Sequence, residues 1–485
     1  MRVIETLDDS MGDRSGGDAA APPAPGLVLV SSGGEPCFGV LPLDPERGDI
    51  EIGREGPLTS LVEDSRMSRR HARISFDGRA FAVRDLGSRN GTAVDGEELH
   101  GERAGEHLRV LRAGSSLFLL AADVNPFRAG VRVQGGAVMG PALVRGWHAI
   151  ARAARFGSTL HIRGESGTGK ELAARAFHAA GTRGAGPFVA VNCAAIPEGV
   201  AERLLFGARK GAYSGAAADA DGYIQAAHGG TLFLDEIAEL DLAVQAKLLR
   251  VLEVREVLPL GASRPQPVDI AICSATHKDL RAEVAAGRLR EDLYFRIGRP
   301  EVELPPLRAR LEEIPWLIEQ ELCKVAAAAN LSPEKLRAHP SLIEACLLRR
   351  WSGNVRELAA EARAAAQEAI AAGSASVKAA HLSPTAGVGF GEAAAGPAAA
   401  TAGSAEAAAG SAAANAGSAA ATASAMPGRE AIEAALSREG GNVSRAARSL
   451  GLHRTQLRRL LARHGIDARR AGPEASGDGD DTDAG

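Results

Sequence analysis

The stretch TLHIRGESGTGKELAARAFHAA, residues 159–180, decides how the chain is read. A short apolar run leads into a glycine-rich loop, and the loop leads into a helical pattern. Residues 164–170, GESGTGK, fit the phosphate-loop pattern, in which a glycine-rich turn ends in lysine at a helix start. Glycines let the backbone curl so that its N–H groups point at phosphates, and the helix N-terminus adds positive potential. The expected nucleotide contacts are Gly164, Glu165, Ser166, Gly167, Thr168, Gly169, Lys170 and Glu171, with Lys170 reaching the β- and γ-phosphates. Glu171 departs from the general pattern, which has Ser or Thr there to touch magnesium.

A second segment completes the chemistry. Leu232-Phe233-Leu234-Asp235-Glu236 reads as a buried strand ending in two carboxylates. Asp235 is placed to hold Mg2+ through water, and Glu236 to polarise an attacking water. The two segments together predict hydrolysis of ATP.

Outward from this centre the character of the chain changes several times. A length of 485 residues exceeds one hydrophobic core, so several domains are expected. Residues 131–304 alternate strand-like runs with helical patterns, which predicts an α/β domain with a mainly parallel sheet. Residues 305–372 read as helices without strands. Residues 25–123 carry short apolar runs with turn signals such as Asp-Gly at 77–78 and Asn-Gly at 90–91, the pattern of an all-β sandwich. Residues 1–24 read as a disordered N-terminus, and 373–427 as an Ala/Gly/Ser-rich linker. Its part from 385 would span about 35 Å as flexible coil. Residues 428–467 form a compact all-α segment, and 468–485 an acidic tail. The predicted fold class is therefore multidomain: an all-β sandwich, an α/β ATPase with a helical lid, and an all-α terminal module.

An apolar share of 45% with 24% charged residues is ordinary for soluble globular protein. No run approaches the roughly 18 apolar residues of a membrane span. The acidic N-terminus has no apolar signal region, so a cytoplasmic location is expected. Five scattered cysteines without a CxxC pair predict buried thiols, not a disulfide framework or zinc site.

The ordered motifs resemble the AAA+ domain of bacterial enhancer-binding proteins, the activators of sigma-54 RNA polymerase. GESGTGKE, Phe206-Gly207 followed by GAYSGA (211–216), GGTLFLDEI (229–237), LREDLYFRI (289–297), LPPLRAR (304–310) and WSGNVREL (351–358) carry the resemblance. It implies that Arg290 and Arg296 act as arginine fingers in a neighbouring subunit's site, hence a homo-oligomer ranging from dimer to hexameric ring. It also implies that Arg356 is the lid's sensor arginine and that Asn192 restrains Glu236. His277 stands where the family has a sensor asparagine. Gly211, Ala212, Tyr213, Ser214, Gly215 and Ala216 correspond to the loop that grips sigma-54, with Tyr and Ser in place of the family's Phe and Thr.

Two flanking segments carry further resemblances. IEIGRE (50–55), SRRHARI (68–74) and DLGSRNGTAVDG (85–96) resemble the forkhead-associated (FHA) domain. That implies recognition of a phosphothreonine protein or a Ser/Thr kinase, by Arg54, Ser68, Arg69 and Asn90, while Gly53, His71 and Gly91 shape the loops. The segment AIEAALSREGGNVSRAARSLGLHRTQLRRLLARHGI resembles the Fis-type helix-turn-helix, with eight arginines against three acidic residues over 428–466. Arg454, Thr455, Gln456, Arg458 and Arg459 would face upstream, enhancer-like DNA. The expected function is an ATP-driven activator that remodels the sigma-54 RNA polymerase holoenzyme. An FHA/DNA-binding scaffold and a repressor without sigma-54 remodelling stand as alternatives.

Overall fold

The computed structural model describes residues 22–55, 64–134, 137–197, 199–213 and 216–389, together with Leu436 and Leu461. The last two are helical, buried positions of a separate C-terminal unit. The DNA-contact expectations at Arg454, Thr455, Gln456, Arg458 and Arg459 lie outside the described residues. Among the described residues no helix is long and apolar enough to cross a membrane.

The N-terminal part is a two-sheet sandwich. One sheet orders β2-β1-β10-β9-β6-β7 from β1 (Gly26–Ser32), β2 (Glu35–Pro42), β6 (Thr92–Val94), β7 (Glu97–Glu98), β9 (Val110–Ala113) and β10 (Ser116–Ala121). The other orders β3-β4-β5-β8 from β3 (Asp49–Ile52), β4 (Ala72–Phe76), β5 (Phe81–Asp85) and β8 (Glu102–Gly105). All pairings are antiparallel.

A short hairpin, β11 (Arg132–Gln134) with β12 (Ala137–Met139), leads into the central domain. Its sheet runs β14-β15-β18-β13-β19, all parallel, from β13 (Thr159–Arg163), β14 (Phe188–Asn192), β15 (Thr231–Asp235), β18 (Ala271–Thr276) and β19 (Glu301–Glu303). A small pair, β16 (Glu256–Val257) and β17 (Gln266–Pro267), lies between β15 and β18 in sequence. The intervening helices are α1 (Pro141–Phe156), α2 (Lys170–Ala180), α3 (Ala201–Phe206), α4 (Tyr223–Ala226), α5 (Leu242–Val254), α6 (Leu280–Ala285) and α7 (Glu291–Ile297). Burial of β15 and β18 on both faces explains their unbroken apolar runs, LFL and AIC.

The lid comprises α8 (Ile314–Ala328), α9 (Pro340–Leu348) and α10 (Asn354–Ala371). It differs from the sequence reading in two respects. It contains a parallel strand pair, β20 (Arg337–Ala338) with β21 (Ser376–Val377). It also extends past 372, because Val377, Leu382 and Ala386 are buried in the lid's own core. The expected linker start at 373 therefore moves beyond the described residues ending at 389. The small-residue composition hid three apolar anchors.

One face of the sandwich packs into the lid's hydrophobic core, while its two sheets enclose a second core of their own. Along β1, Leu27 and Leu29 enter the sandwich core, whereas Val28 and Val30 pack with the lid residues Ile318, Leu322 and Leu342. Strand β10 divides in the same way: Phe118 faces inward, and Leu117 and Leu119 face the lid. This is period-2 alternation with both faces dry. Arg112 on β9 donates to Glu344 on α9 at 2.9 Å, and Arg109 donates to the Leu348 carbonyl at 3.3 Å.

Of the five cysteines, Cys193, Cys273 and Cys346 are buried as expected, and burial pushes the Cys193 and Cys346 thiols up to about 12. Cys37 is only partly buried and Cys323 is exposed, which corrects the expectation for those two.

Leu119→Ala is expected to cost about 2–5 kcal/mol, as for other buried leucine truncations. Because the core is shared, urea unfolding followed through Trp316 and Trp351 of the lid should shift with it. A lid transition that ignores Leu119→Ala would show two independent cores.

Candidate functional site

The phosphate loop leaves β13 at Gly164 and closes on α2. Gly167 (φ +79°) and Gly169 (φ +103°) take left-handed backbone that other residues rarely adopt. At Gly167 there is a second reason for glycine: an added Cβ would lie 2.2 Å from the Gly353 carbonyl oxygen. Lys170 is buried, and its Nζ donates to the Gly164 carbonyl at 3.1 Å and to Glu236 Oε1 at 3.2 Å. Thr168 Oγ1 braces the loop by donating to the Glu165 carbonyl at 2.8 Å.

The lid grips this loop residue by residue. Arg308 forks onto Glu165 at 2.8 and 2.6 Å and holds that carboxyl below its ordinary value. Asn354 donates to Glu165 and to the Ser166 carbonyl, and its own side-chain oxygen accepts from the Leu307 backbone. Arg356 donates to Ser166 Oγ at 3.0 Å. Arg310, fully buried, donates to the Thr168 carbonyl and to Glu313, which accepts in turn from the Gly140 backbone. Of these residues, only Arg356 was assigned a role from the sequence. Arg308, Arg310 and Asn354 lie inside motifs quoted there, and that placement was the signal available.

Strands β14, β15 and β18 end side by side, with Asn192 opposite Asp235 and Asp235 opposite Ala275. Burial raises the Asp235 carboxyl, the Lys170 charge only partly opposes this, and the neighbouring Glu236 charge raises it further. A half-buried carboxylate in that condition suits a divalent cation, which would offset the cost of its charge. Glu236 stands in left-handed backbone at φ +53°. Burial pushes its carboxyl up, but the Lys170 charge and the hydrogen bonds from His277, Lys170 and Thr276 outweigh this and hold it below the ordinary value. Oε2 accepts from Thr276 Oγ1 at 3.0 Å and lies 2.8 Å from His277 Nδ1.

Four expected residues do other things here. Asn192 does not hold Glu236; its side-chain oxygen accepts from the Ala194 backbone and caps the following turn. Glu171 points to solvent and pairs with Arg175 one turn on, at 2.7 Å, because its place on α2 faces outward. Arg290 pairs with Asp292 at 2.7 Å and Arg296 donates to the Leu252 carbonyl at 3.1 Å, so neither bond reaches the phosphate loop of the same chain. Beside them the Leu242 and Phe295 side chains are exposed.

The described residues of the GAYSGA segment are tied together by backbone bonds. Gly211 (φ +82°) donates to the Ala216 carbonyl at 3.0 Å, and Ala216 donates to the Tyr213 carbonyl. An antiparallel bridge between Ala208 and Ala220 closes its base. Ala212 packs against Gly261. Arg203 lies over the Tyr213 ring at 5.3 Å and donates to its hydroxyl at 2.9 Å. Ser214 and Gly215 lie outside the described residues.

In the sandwich, the Arg54 backbone donates to the Ser68 carbonyl, which joins two of the expected phosphate contacts. Ser68 Oγ accepts from the Arg89 backbone at 3.0 Å, and Asn90 Nδ2 donates to the Arg66 carbonyl at 2.8 Å. Buried His71 bridges the loops, accepting from the Ser68 backbone at Nδ1 and meeting the Gly91 carbonyl at Nε2, and burial lowers its pKa. Gly53 is required by close approach, since a Cβ would lie 2.0 Å from the Arg69 carbonyl. Arg69 is exposed and lies 4.0 Å from Glu55.

Comparison with known proteins follows the same divisions. Residues 138–303 match the family described as the Sigma-54 interaction domain, 50–115 the FHA domain, and 429–464 the Fis family of bacterial regulatory proteins. The chain is 47% identical over 209 residues to the response regulator protein PilR of Pseudomonas aeruginosa, covering 43% of this chain and 46% of PilR. It is 45% identical over 218 residues to the DNA-binding transcriptional regulator NtrC of a Bradyrhizobium strain, covering 45% of each. The chain thus spans less than half the length of these curated relatives. A solved structure of NtrX from Brucella abortus in complex with ATP is 31% identical, covers 69% of this chain and 70% of that one, and has a TM-score of 0.47.

One buried group yields a stability test. Burial raises Glu312 to about 7 from an ordinary 4.5, its backbone amide opposes, and the charge of Glu313 adds to the rise. With the folded value raised, the stability it contributes is present below pH 4.5 and is lost as pH climbs through about 7. Glu312→Gln should flatten that fall and raise the urea midpoint at pH 8 while changing it little at pH 5. Equal shifts at both values would show that Glu312 does not titrate in this range.

Proposed function

We propose that the chain, which matches an FHA domain, then the Sigma-54 interaction domain, then a Fis-family segment, is a sigma-54-dependent transcriptional regulator that hydrolyses ATP to remodel the sigma-54 RNA polymerase closed complex, under control of a phosphothreonine ligand and from an upstream DNA site. The observation that carries the reading is the joint approach of Lys170, Asp235 and Glu236 at the carboxyl ends of parallel strands, closed over by the lid's Arg356.

The residues present fit a magnesium-bound nucleotide. Gly167 and Gly169 give the loop the curl that a triphosphate needs, and Lys170 stands buried at the start of α2 with its charge shared by a carboxylate. Asp235 would hold Mg2+ through water, and the ion would supply charge neutralisation at the phosphates. On nucleotide binding Lys170 exchanges Glu236 for phosphate oxygens. Glu236 then accepts a proton from the attacking water through the oxygen that Lys170 has left. Arg290 and Arg296, bonded away from their own phosphate loop, are available to a neighbouring subunit, which supports a ring. The turn at 211–216 presents Tyr213 at the surface for contact with sigma-54, and Arg203 fixes its ring.

At the other end, Arg54, Ser68 and Asn90 would meet the phosphopeptide. Phosphothreonine carries nearly two charges and needs several donors.

Glu236→Ala should lower the ATPase rate by at least about a hundredfold. Tyr213→Ala should keep ATP turnover within about twofold and abolish ATP-dependent open-complex formation on a sigma-54 promoter. If Tyr213→Ala opens the promoter as wild type does, the loop is not the polymerase contact. Wild-type hydrolysis without opening, in the presence of a phosphothreonine peptide, would favour the repressor. For the sandwich, Arg54→Ala should weaken binding of a phosphothreonine peptide by at least about tenfold and leave the unphosphorylated peptide unaffected. Equal binding of both peptides to wild type would remove the phosphate-reading role.

A further inference from the structure

The exposed positions of α1 are Arg145, His148, Arg152, Arg155 and Phe156, and no others. Spacings of three, four and three residues put the basic groups on one face. The buried Leu143, Ile150 and Ala154 occupy the opposite one. From Arg145 to Arg155 the row runs about 15 Å, at 1.5 Å per residue. Phe156, 89% exposed, ends it. The short turn Asn125–Ala129 packs against α1 and brings Arg128 to the same side of the domain.

This face lacks its counter-charges. Among the described helices of ten residues or more, α1 alone carries no carboxylate. The whole run 124–164 contains no Asp or Glu, although the chain has more acidic than basic groups. A solvated face ordinarily mixes charges of both signs. Neighbouring α2 does so, with Arg175 paired to Glu171 at 2.7 Å. On α1 none of the three arginines has a hydrogen bond or ion pair among the described residues. On β19, which packs against α1, Glu301 lies 3.8 Å from Arg299 instead. Like charges three and four residues apart weaken a helix. Arg155 alone stands in the last turn, where the helix dipole favours a cation.

We infer that this face of α1 binds the phosphodiester backbone of nucleic acid, as a sequence-independent second contact beside the Fis-family segment. The inference rests on the DNA-binding reading above for the supply of DNA. All three cations are arginines, whose planar forks match phosphate oxygens. A row of about 15 Å spans about four base-pair steps of 3.4 Å. Phe156 adds an aromatic face for a sugar or an unpaired base. DNA held by the segment matched at 429–464 is tethered to residue 389 through about 40 residues, at most about 140 Å of chain. Such DNA meets α1 as an intramolecular partner at raised effective concentration.

The test uses the full chain with random-sequence DNA, as duplex and as single strand, titrated from about 50 to about 200 mM salt. Arg152→Gln/Arg155→Gln should lower the slope of log affinity against log salt by about two, and weaken binding at about 50 mM by at least about tenfold. Arg152→Lys/Arg155→Lys keeps the charge and should keep the slope within about 0.5 of wild type. Arg175→Gln, on α2, should leave the slope unchanged. Arg145 stays in place because its charge also acts on buried Glu312. A larger effect on the single strand, removed by Phe156→Ala, assigns the face to unpaired strand; a larger effect on the duplex assigns it to duplex. A wild-type slope in Arg152→Gln/Arg155→Gln, or an equal loss in Arg175→Gln, overturns the proposal. So does a variant that binds DNA as wild type does but changes its oligomeric state, which would make the face a contact between copies. A second readout needs no substitution. Phenylglyoxal modifies accessible arginines, and DNA should protect Arg152 and Arg155 of the wild-type chain while Arg79 of the sandwich stays reactive. Equal reactivity with and without DNA overturns the proposal by itself. Arg454→Gln/Arg458→Gln should lower the slope by about two more, additively with the α1 pair. If it changes nothing, the reading of the Fis-family segment fails, while the α1 slope and protection still decide this contact.

Discussion

The hydrogen-bond register between β15 and β18 is the constraint on which the site depends. Asp235 lies opposite Ala275, so Glu236 and Thr276 leave their strands at the same level. On the other side of β18, Arg163 lies opposite Thr276, and the next residue, Gly164, donates its N–H to the Thr276 carbonyl at 3.2 Å. One row of backbone bonds thereby sets the start of the phosphate loop, Asp235, Glu236 and the β18 end that bonds Glu236. A slip of one residue would turn every side chain of the slipped strand to the opposite face. The left-handed backbone at Glu236 costs about 1–2 kcal/mol. Its carboxylate's contacts to Lys170, Thr276 and His277 are the compensation.

A second layer of restraint comes from the lid. Arg308, Arg356 and Arg310 reach Glu165, Ser166 and Thr168, three positions of a loop only seven residues long. Only the first contact is a surface-type ion pair. Arg310 is buried with Glu313, and a buried pair stripped of one partner costs far more than an exposed one. The loop is consequently held on its far side from the strands, and Gly167 packs so closely on Gly353 that no other residue would fit. The phosphate loop is a part shared between sheet and lid.

How much of this was legible depends on sequence distance. The phosphate loop and the strand ending at Asp235-Glu236 are local patterns, and both stand where they were expected. The Glu236–His277 contact joins residues 41 apart and requires knowing that β18 lies next to β15. The motifs named the residues but not their neighbours, so the restraint was assigned to Asn192 by resemblance alone. Glu171 was grouped with the loop because it is contiguous with it, yet helical rotation carries it to solvent. The segment after 372 was read as linker because alanine, glycine and serine dominate it, although Val377 and Leu382 suffice to anchor it. The run GLVLV at 26–30 carried information that went unused: four consecutive apolar residues on one strand mean that both faces are dry. A sandwich with one wet face would have alternated.

Those two dry faces tie the sandwich to the rest of the chain. A tethered FHA domain could report its ligand only by colliding with, or recruiting, something else. This one is continuous with the lid through the buried Val28, Val30, Leu117 and Leu119 and is fastened at its rim by Arg112 and Glu344. Such an interface transmits displacement and does not absorb it. Moving the lid far enough to break the bonds to Glu165, Ser166 and Thr168 would strain this interface unless the sandwich moved with it. The loops around Arg54, Ser68 and Asn90 are thereby joined to the phosphate loop through the sandwich–lid core and the lid's bonds to Glu165, Ser166 and Thr168.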